Sequence, residues 1–196
     1  MDAPVFYYDF NSPFAYVAAH RVDDVLPVRP RWQPIAFAFV LIAHKREPWS
    51  FDAAAREPTM RDCERRAAEL GLPLQWPEGW PRDSYSLLPL RAAVLAERAG
   101  LLREFSRAAF RRHFSEPAGI KGLEPILAAA GEVGLDQGEV SAHIADEDVK
   151  QAVKDATDAA TRLGVFGVPT VQVGDELFWG DDRLVEAAAA LELTGA

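Results

Sequence analysis

The sequence predicts an α/β fold in which a strand–helix–strand unit opens the chain, a block of helices fills its middle, and a strand–strand–helix unit closes it. Three observations carry this. Aromatic and β-branched runs of strand length stand near the two ends, as "PVFYYDF", "PRWQPIAFAF", "VPTVQV" and "ELFWG". From about Ala53 to Gly164 the pattern changes to charged faces and Ala-rich interiors at helical spacing. The Gly174-Asp175 pair between the last two strand-like runs reads as a hairpin turn.

The first strand, "PVFYYDF", is rich enough in aromatic and β-branched residues to be buried. Pro13 favours the first position of a helix, with Asn11 or Ser12 as its cap. Phe14, Val17, Val22, Val25 and Leu26 then share one face, and Pro27 and Pro30 end that helix. "PRWQPIAFAF" reads as a second strand, on an edge or irregular, because Pro34 cannot donate to a ladder. The spacing of these elements suits a right-handed crossover between parallel strands. "AAREPTMRDCERRAAEL", "SLLPLRAAVLAERAG", "LLREFSRAAFRRHF", "GLEPILAAAGEVG" and "DEDVKQAVKDATDAATRLG" are all helix-like, interrupted by the irregular "GLPLQWPEGWPRDSY". "DDRLVEAAAALEL" closes the chain as a helix with acidic residues in its first turn. This β-α-β … β-β-α order is that of a thioredoxin-like fold with a large all-helical insertion. Residues 1–43 and 164–196 form the discontinuous thioredoxin-like domain, and 44–163 the inserted helical domain.

Composition narrows the function. A chain of 196 residues, 49% hydrophobic and 26% charged, can bury a sizeable core as one domain or one domain with an insertion. A formal net charge of -9 without a basic stripe argues against a nucleic-acid surface, so an anionic ligand would need its own cluster of Lys and Arg. Cys63 is the single cysteine, which rules out an internal disulfide and a cysteine-based zinc cage. Met1 runs almost at once into the first strand, and no apolar run approaches the ~20 residues of a membrane span. The cytosol is the expected compartment, with no membrane partner.

"FYYDFNSPFAY" at 6–16, "GVFGVPT" at 164–170 and "LFWGDDRL" at 177–184 together resemble the DsbA-like enzymes that carry serine in place of cysteine. Those are the 2-hydroxychromene-2-carboxylate isomerases and the kappa-class glutathione transferases. "RDCERRAAELGLP" and "WPRDSYSLLPLRAA" look similar too, so the resemblance spans nearly the whole chain. It implies glutathione, or another low-molecular-weight thiol such as mycothiol, as cofactor, a small-molecule substrate, and a homodimer because relatives of this type often pair.

In such a protein the reactive sulfur belongs to the ligand. A cysteine-type thiol has a pKa near ~8.5, and lowering it by about two units needs roughly 2.7 kcal/mol of preference for the anion. A helix N-terminus contributes about 0.3–1 kcal/mol, reaching ~2 when partly buried. A hydroxyl donating to the sulfur anion adds about 1.5–3 kcal/mol. Ser12, at the start of a helix, could combine both; alternatively it is only an N-cap before Pro13. Asn11 is a further donor or a cap. No Gly-x-Ser-x-Gly elbow surrounds Ser12, which argues against a serine hydrolase.

The resemblance further implies a cis bond before Pro169, presenting the Val168 backbone to an extended peptide; the alternative is a proline that merely ends a bulge. Asp181 and Asp182 cap the last helix or, as the resemblance implies, hold the glutamyl end of glutathione, with Asp182 the better candidate because a charge at Asp181 would crowd the ligand's carboxylate. Arg183 binds the ligand or enters a structural ion pair. Phe39, Trp49 and Trp80 are candidates for an aromatic substrate pocket, whereas Phe37 reads as core. The isomerases usually carry an Asn and a Lys beyond the second strand. "FVLIAHKREPWSFDAAAREP" has no clear asparagine match, and Lys45, Arg46 and Arg56 are its available cations. His20, His44, His113 and His143 lack metal spacing and read as surface or core residues, and Cys63 as a structural thiol. The function that follows is a glutathione-dependent isomerase of a small aromatic or conjugated acid, working by thiolate addition and elimination. Its rivals are a kappa-type transferase, a non-catalytic thiol-binding or scaffolding protein, and a disulfide oxidoreductase, the last opposed by the missing cysteine pair.

Overall fold

Four short strands make one mixed sheet in the computed structural model, which describes residues 3–116 and 119–194. They are β1 (Val5–Tyr8), β2 (Arg31–Pro34), β3 (Thr170–Val173) and β4 (Glu176–Trp179), in the order β2-β1-β3-β4. β1 runs parallel to β2 and antiparallel to β3, and β3 and β4 form the expected hairpin. Pro34 lies on the edge strand, where a missing N–H costs no ladder bond. No helix among the described residues is long and apolar enough to cross a membrane.

The crossover from β1 to β2 contains two helices where the sequence predicts one: α1 (Pro13–Ala19) and α2 (Val22–Val25). The break has a local cause. The His20 ring Nδ1 pairs with the Tyr16 carbonyl at 2.9 Å, the acceptor a continuing helix would give to the His20 N–H, and that N–H turns to Val17 instead. The second strand is also shorter than expected. It stops at Pro34, and Phe37–Ala43 is a helix, α3. Two distant side chains redirect the backbone there: Thr157 Oγ1 accepts the Ala36 N–H at 3.0 Å, and Asp9 Oδ2 accepts the Phe37 N–H at 2.9 Å.

The middle of the chain forms α4 (Ala53–Glu69), α5 (Leu87–Arg98), α6 (Leu102–Phe114), α7 (Leu123–Glu132), α8 (Gln137–His143) and α9 (Glu147–Arg162), and α10 (Leu184–Thr194) follows the sheet. Sequence periodicity misses α8, which Asp136 starts by accepting the Gly138 and Glu139 N–H groups. Alternation along β1 divides the interior. Phe6 and Tyr8 face the larger core with Trp32, Phe105 and Phe110, while Tyr7 faces a smaller one with Ile35, Val40, Ala160, Val165 and Val168. Helix α9 is reached through the helical block yet packs on the sheet's smaller-core face, through Ala160 and the Thr157 bond to Ala36. Both sheet faces are thus covered, and the strand ends and loops at one edge are left to build a site.

Candidate active site

The turn that carries Ser12 is built by Asp9, the residue after β1. Asp9 Oδ1 accepts the Asn11 N–H at 2.8 Å and the Asp9 carbonyl accepts the Ser12 N–H at 3.0 Å. Ser12 then has the extended backbone of an N-cap, and its Oγ accepts the Ala15 N–H at 3.2 Å. The same oxygen lies 3.4 Å from the Val168 carbonyl, 156 residues away, as a long and weak donor contact. The cap and the approach to the proline loop are therefore properties of one hydroxyl. The Val168–Pro169 peptide is cis, and among the described residues no group accepts the Val168 N–H. Gly167 lets the loop close on β4, since a Cβ there would stand 2.2 Å from Trp179 Nε1.

Asn11 is neither a cap nor a free donor. Its Nδ2 donates to the Ser84 carbonyl at 3.1 Å, its Oδ1 meets His113 Nε2 at 3.3 Å, and its carbonyl accepts Trp80 Nε1–H at 3.3 Å. The helical block thus holds the residue immediately before Ser12. Asp9 itself is buried, and Oδ2 also accepts from the Ser86 hydroxyl at 3.0 Å. Burial pushes its carboxyl above the usual range, and the bonds from Asn11, Phe37 and Ser86 pull it back.

An aromatic wall begins beside this turn. Phe14 meets Trp49 edge-on at 6.1 Å, Trp49 meets Trp80 at 5.6 Å, and Trp80 meets Trp76 at 4.7 Å, with Trp49 and Trp80 half-buried. Phe39 does not join it. It lies on α3, 52% exposed, with no ring contact among the described residues, because the chain is helical where the sequence suggests strand.

At the far end, residues 181–183 form a single tight turn into α10, started by Gly180 at φ 115°. Asp181 is turned inward and buried, bonded to Arg66 Nη1 at 2.9 Å. The expectation that its charge would crowd a ligand is corrected: Arg66 of α4 holds it in the protein. Burial pushes the Asp181 carboxyl up, against the pull of Arg66. Asp182 projects outward, 3.6 Å from the same guanidinium nitrogen, and Arg66 Nε also holds Asp62. A cleft of about 380 Å³ opens here, lined by Arg21, Arg65, Arg66, Asp181 and Asp182. It adjoins the Ser12 helix, since the Arg66 guanidinium lies over the Phe14 ring at 5.5 Å. Arg183 pairs with Glu186 and lies over Phe178.

Of the other cations, Arg46 bonds the Phe166 carbonyl at 3.2 Å and lies over its ring, two residues before Val168. Arg56 donates to the Ser50 carbonyl, and Lys45 is exposed. Cys63 is buried, its thiol pushed up to about 12 chiefly by burial, which suits a structural role. Sequence reasoning missed Asp9, Arg66 and His113. A readable signal existed for His113: Ser106, Ala109, Phe110 and His113 fall on one helical stripe, so the imidazole had to be buried.

The chain matches the family model described as the DSBA-like thioredoxin domain over residues 5–192. It is 29% identical to a 2-hydroxychromene-2-carboxylate isomerase of Sphingobium xenophagum, across 91% of this chain and 92% of that one. It is 24% identical to glutathione S-transferase kappa 1 of Homo sapiens, across 91% of this chain and 85% of that one. A solved 2-hydroxychromene-2-carboxylate isomerase shares the fold with a TM-score of 0.88 at 24% identity, covering 99% of this chain and 96% of its own.

Proposed function

The chain belongs to the DSBA-like thioredoxin domain family, and we propose that within it this protein is a glutathione-dependent isomerase of the 2-hydroxychromene-2-carboxylate type. One observation carries the reading: the Ser12 hydroxyl stands at the Val168–Pro169 bend with its proton only loosely committed, at 3.4 Å from the Val168 carbonyl. A cysteine in that place would make the protein the source of sulfur; a serine makes it the partner of one brought in.

The groups around Ser12 fit a γ-glutamyl tripeptide. The Val168 N–H and carbonyl offer the pairing edge that an extended cysteinyl residue needs. Asp182 and the cleft beside Arg66 supply both signs of charge for a zwitterionic glutamyl end. Ser12 leaves its long contact with Val168 and donates to the sulfur anion, an interaction of about 1.5–3 kcal/mol, most of the roughly 2.7 kcal/mol that a two-unit fall in thiol pKa requires. Trp49 and Trp80 face a flat conjugated acid and restrict its orientation. When bound beside Ser12 and Val168, glutathione would supply a sulfur nucleophile able to add reversibly to a conjugated double bond, the chemistry by which a thiol exchanges one geometric isomer for the other.

A kappa-type transferase is the second reading, favoured by the similarity to glutathione S-transferase kappa 1. It uses the same ionised thiol and keeps the adduct. Ultraviolet titration of bound glutathione tests both. The wild type should show a thiolate band below the free thiol's pKa, and Ser12→Ala should raise that pKa by about one to two units while changing affinity less. An unchanged titration removes the role of Ser12. Products of a conjugated acceptor then separate the readings, since an isomerase returns free glutathione and a transferase retains the adduct.

A further inference from the structure

His113 is 1% exposed and stands on the apolar stripe of α6, at the interface between the helical block and the turn that carries Ser12. Its tautomer follows from its neighbours. The Ser84 carbonyl can only accept, so the Asn11 amide presents Nδ2 to it and Oδ1 to His113. Oδ1 can only accept in turn, so the imidazole carries its proton on Nε2 and shares it between Asn11 Oδ1 at 3.3 Å and Ser84 Oγ at 3.1 Å. Nδ1 is then a buried lone pair with no partner among the described residues. An apolar residue would avoid that orphan; histidine keeps it and makes the bond to Asn11.

The polar groups of Asn11 are all taken. Asp9 holds its N–H, Trp80 its carbonyl, Ser84 its amide nitrogen and His113 its amide oxygen. Three of those four partners come from the helical block. The next residue is Ser12, whose contact with Val168 is already long, so a small shift of the turn would move the hydroxyl off its line.

Resting on the function proposed above, we infer that His113 is a positioning residue of this site: its Nε2–H fixes the Asn11 side chain and, through it, the direction of the Ser12 hydroxyl. Three variants test this. His113→Gln places an amide N–H where Nε2–H stands, His113→Asn places it nearer the position of Nδ1, and His113→Leu places none. The readouts are the titration of bound glutathione and the separate values of kcat and KM, with circular dichroism to establish folding.

His113→Leu and His113→Asn should leave about tenfold less thiolate at neutral pH and lower kcat about tenfold, with KM within about twofold. His113→Gln should restore both. Equal behaviour of Gln and Asn overturns the inference even where the Leu variant does not fold. A folded His113→Leu protein that ionises the thiol as well as the wild type also overturns it, and leaves the proposed function standing. A wild type that neither binds nor ionises glutathione removes the proposed function and this inference together.

Discussion

Asp9 and Asp181 are equally buried, each 3% exposed, one beside Ser12 and the other at the start of the last helix, and the protein holds them in different ways. Among the described residues the donors to Asp9 are all neutral: two backbone N–H groups and the Ser86 hydroxyl. Asp181 has a full opposite charge in Arg66, which also holds Asp62 and approaches Asp182. Burial raises both carboxyls above their ordinary range. The Asp9 arrangement tolerates a proton, because the Ser86 hydroxyl can turn from donor to acceptor without losing the bond. That suits a place where a second negative charge, the proposed thiolate, would be repelled by a fixed one. The Arg66 cluster sets a cation among its carboxylates and suits the charged end of a ligand. A neutral throat and an ionic far end are two electrostatic designs in one site.

Removing the acceptor from the neutral end should have the largest effect. Asp9→Leu leaves the Asn11 and Phe37 N–H groups buried without partners, at about 1–3 kcal/mol each, and frees the Ser86 hydroxyl. Urea unfolding should show a loss of about 4 kcal/mol, and a loss below about 1 kcal/mol would mean that those amides find water. At the ionic end, Arg66→Leu strands the buried Asp181 carboxylate and should cost about 3 kcal/mol, near the lower bound for broken buried pairs because Arg66 is itself 23% exposed. Here the double variant sharpens the contrast. Arg66→Leu with Asp181→Leu should recover most of the loss, since a buried ion pair replaced whole by apolar groups is often neutral. Additive losses would show that Arg66 acts mainly through Asp62 and Asp182.

The same contrast explains what the sequence disclosed. The strands, the hairpin and the capped helix start at Ser12 were legible because each rests on local chemistry: aromatic runs, a Gly-Asp turn, a cap before proline. Pro169 and Asp182 entered as ligand positions through the family resemblance. The break after α1 and the missed α8 have local causes in His20 and Asp136, but the failures around the site are non-local. β2 gives way to α3 because Asp9 and Thr157 take the amides of Phe37 and Ala36 from 28 and 121 residues away. Asp181 faces inward because Arg66 waits 115 residues earlier in the chain. Asn11 loses its freedom to Trp80, Ser84 and His113, each on an element whose docking no single-chain pattern records. A polar residue on an apolar stripe was the one sign of the network, and it pointed to burial without naming a partner.

The smallest predicted effect separates the two kinds of buried titratable group by sign. Burial holds the folded His113 down to about 3, against an ordinary value near 6.5. Between those values the unfolded chain binds the proton and the folded chain does not, so stability is lost as pH falls, by up to about 1.4 kcal/mol per unit. Asp9 and Asp181 act in the opposite direction: their raised carboxyls bind protons more readily when folded, so their contribution grows as pH falls through the folded values. His20, held below its ordinary value, and His143, held above it, are common to the wild type and a His113→Gln variant and cancel in the difference. Urea midpoints at pH 7 and pH 5 should therefore show the wild type losing about 2 kcal/mol more than the variant on acidification. Parallel losses would mean that His113 takes up its proton within the folded protein. The Nε2–H bond to Asn11 survives in the imidazolium, but a buried cation would then lie beneath the turn that carries Ser12, and the contrast between a neutral throat and an ionic far end would fail at its neutral side.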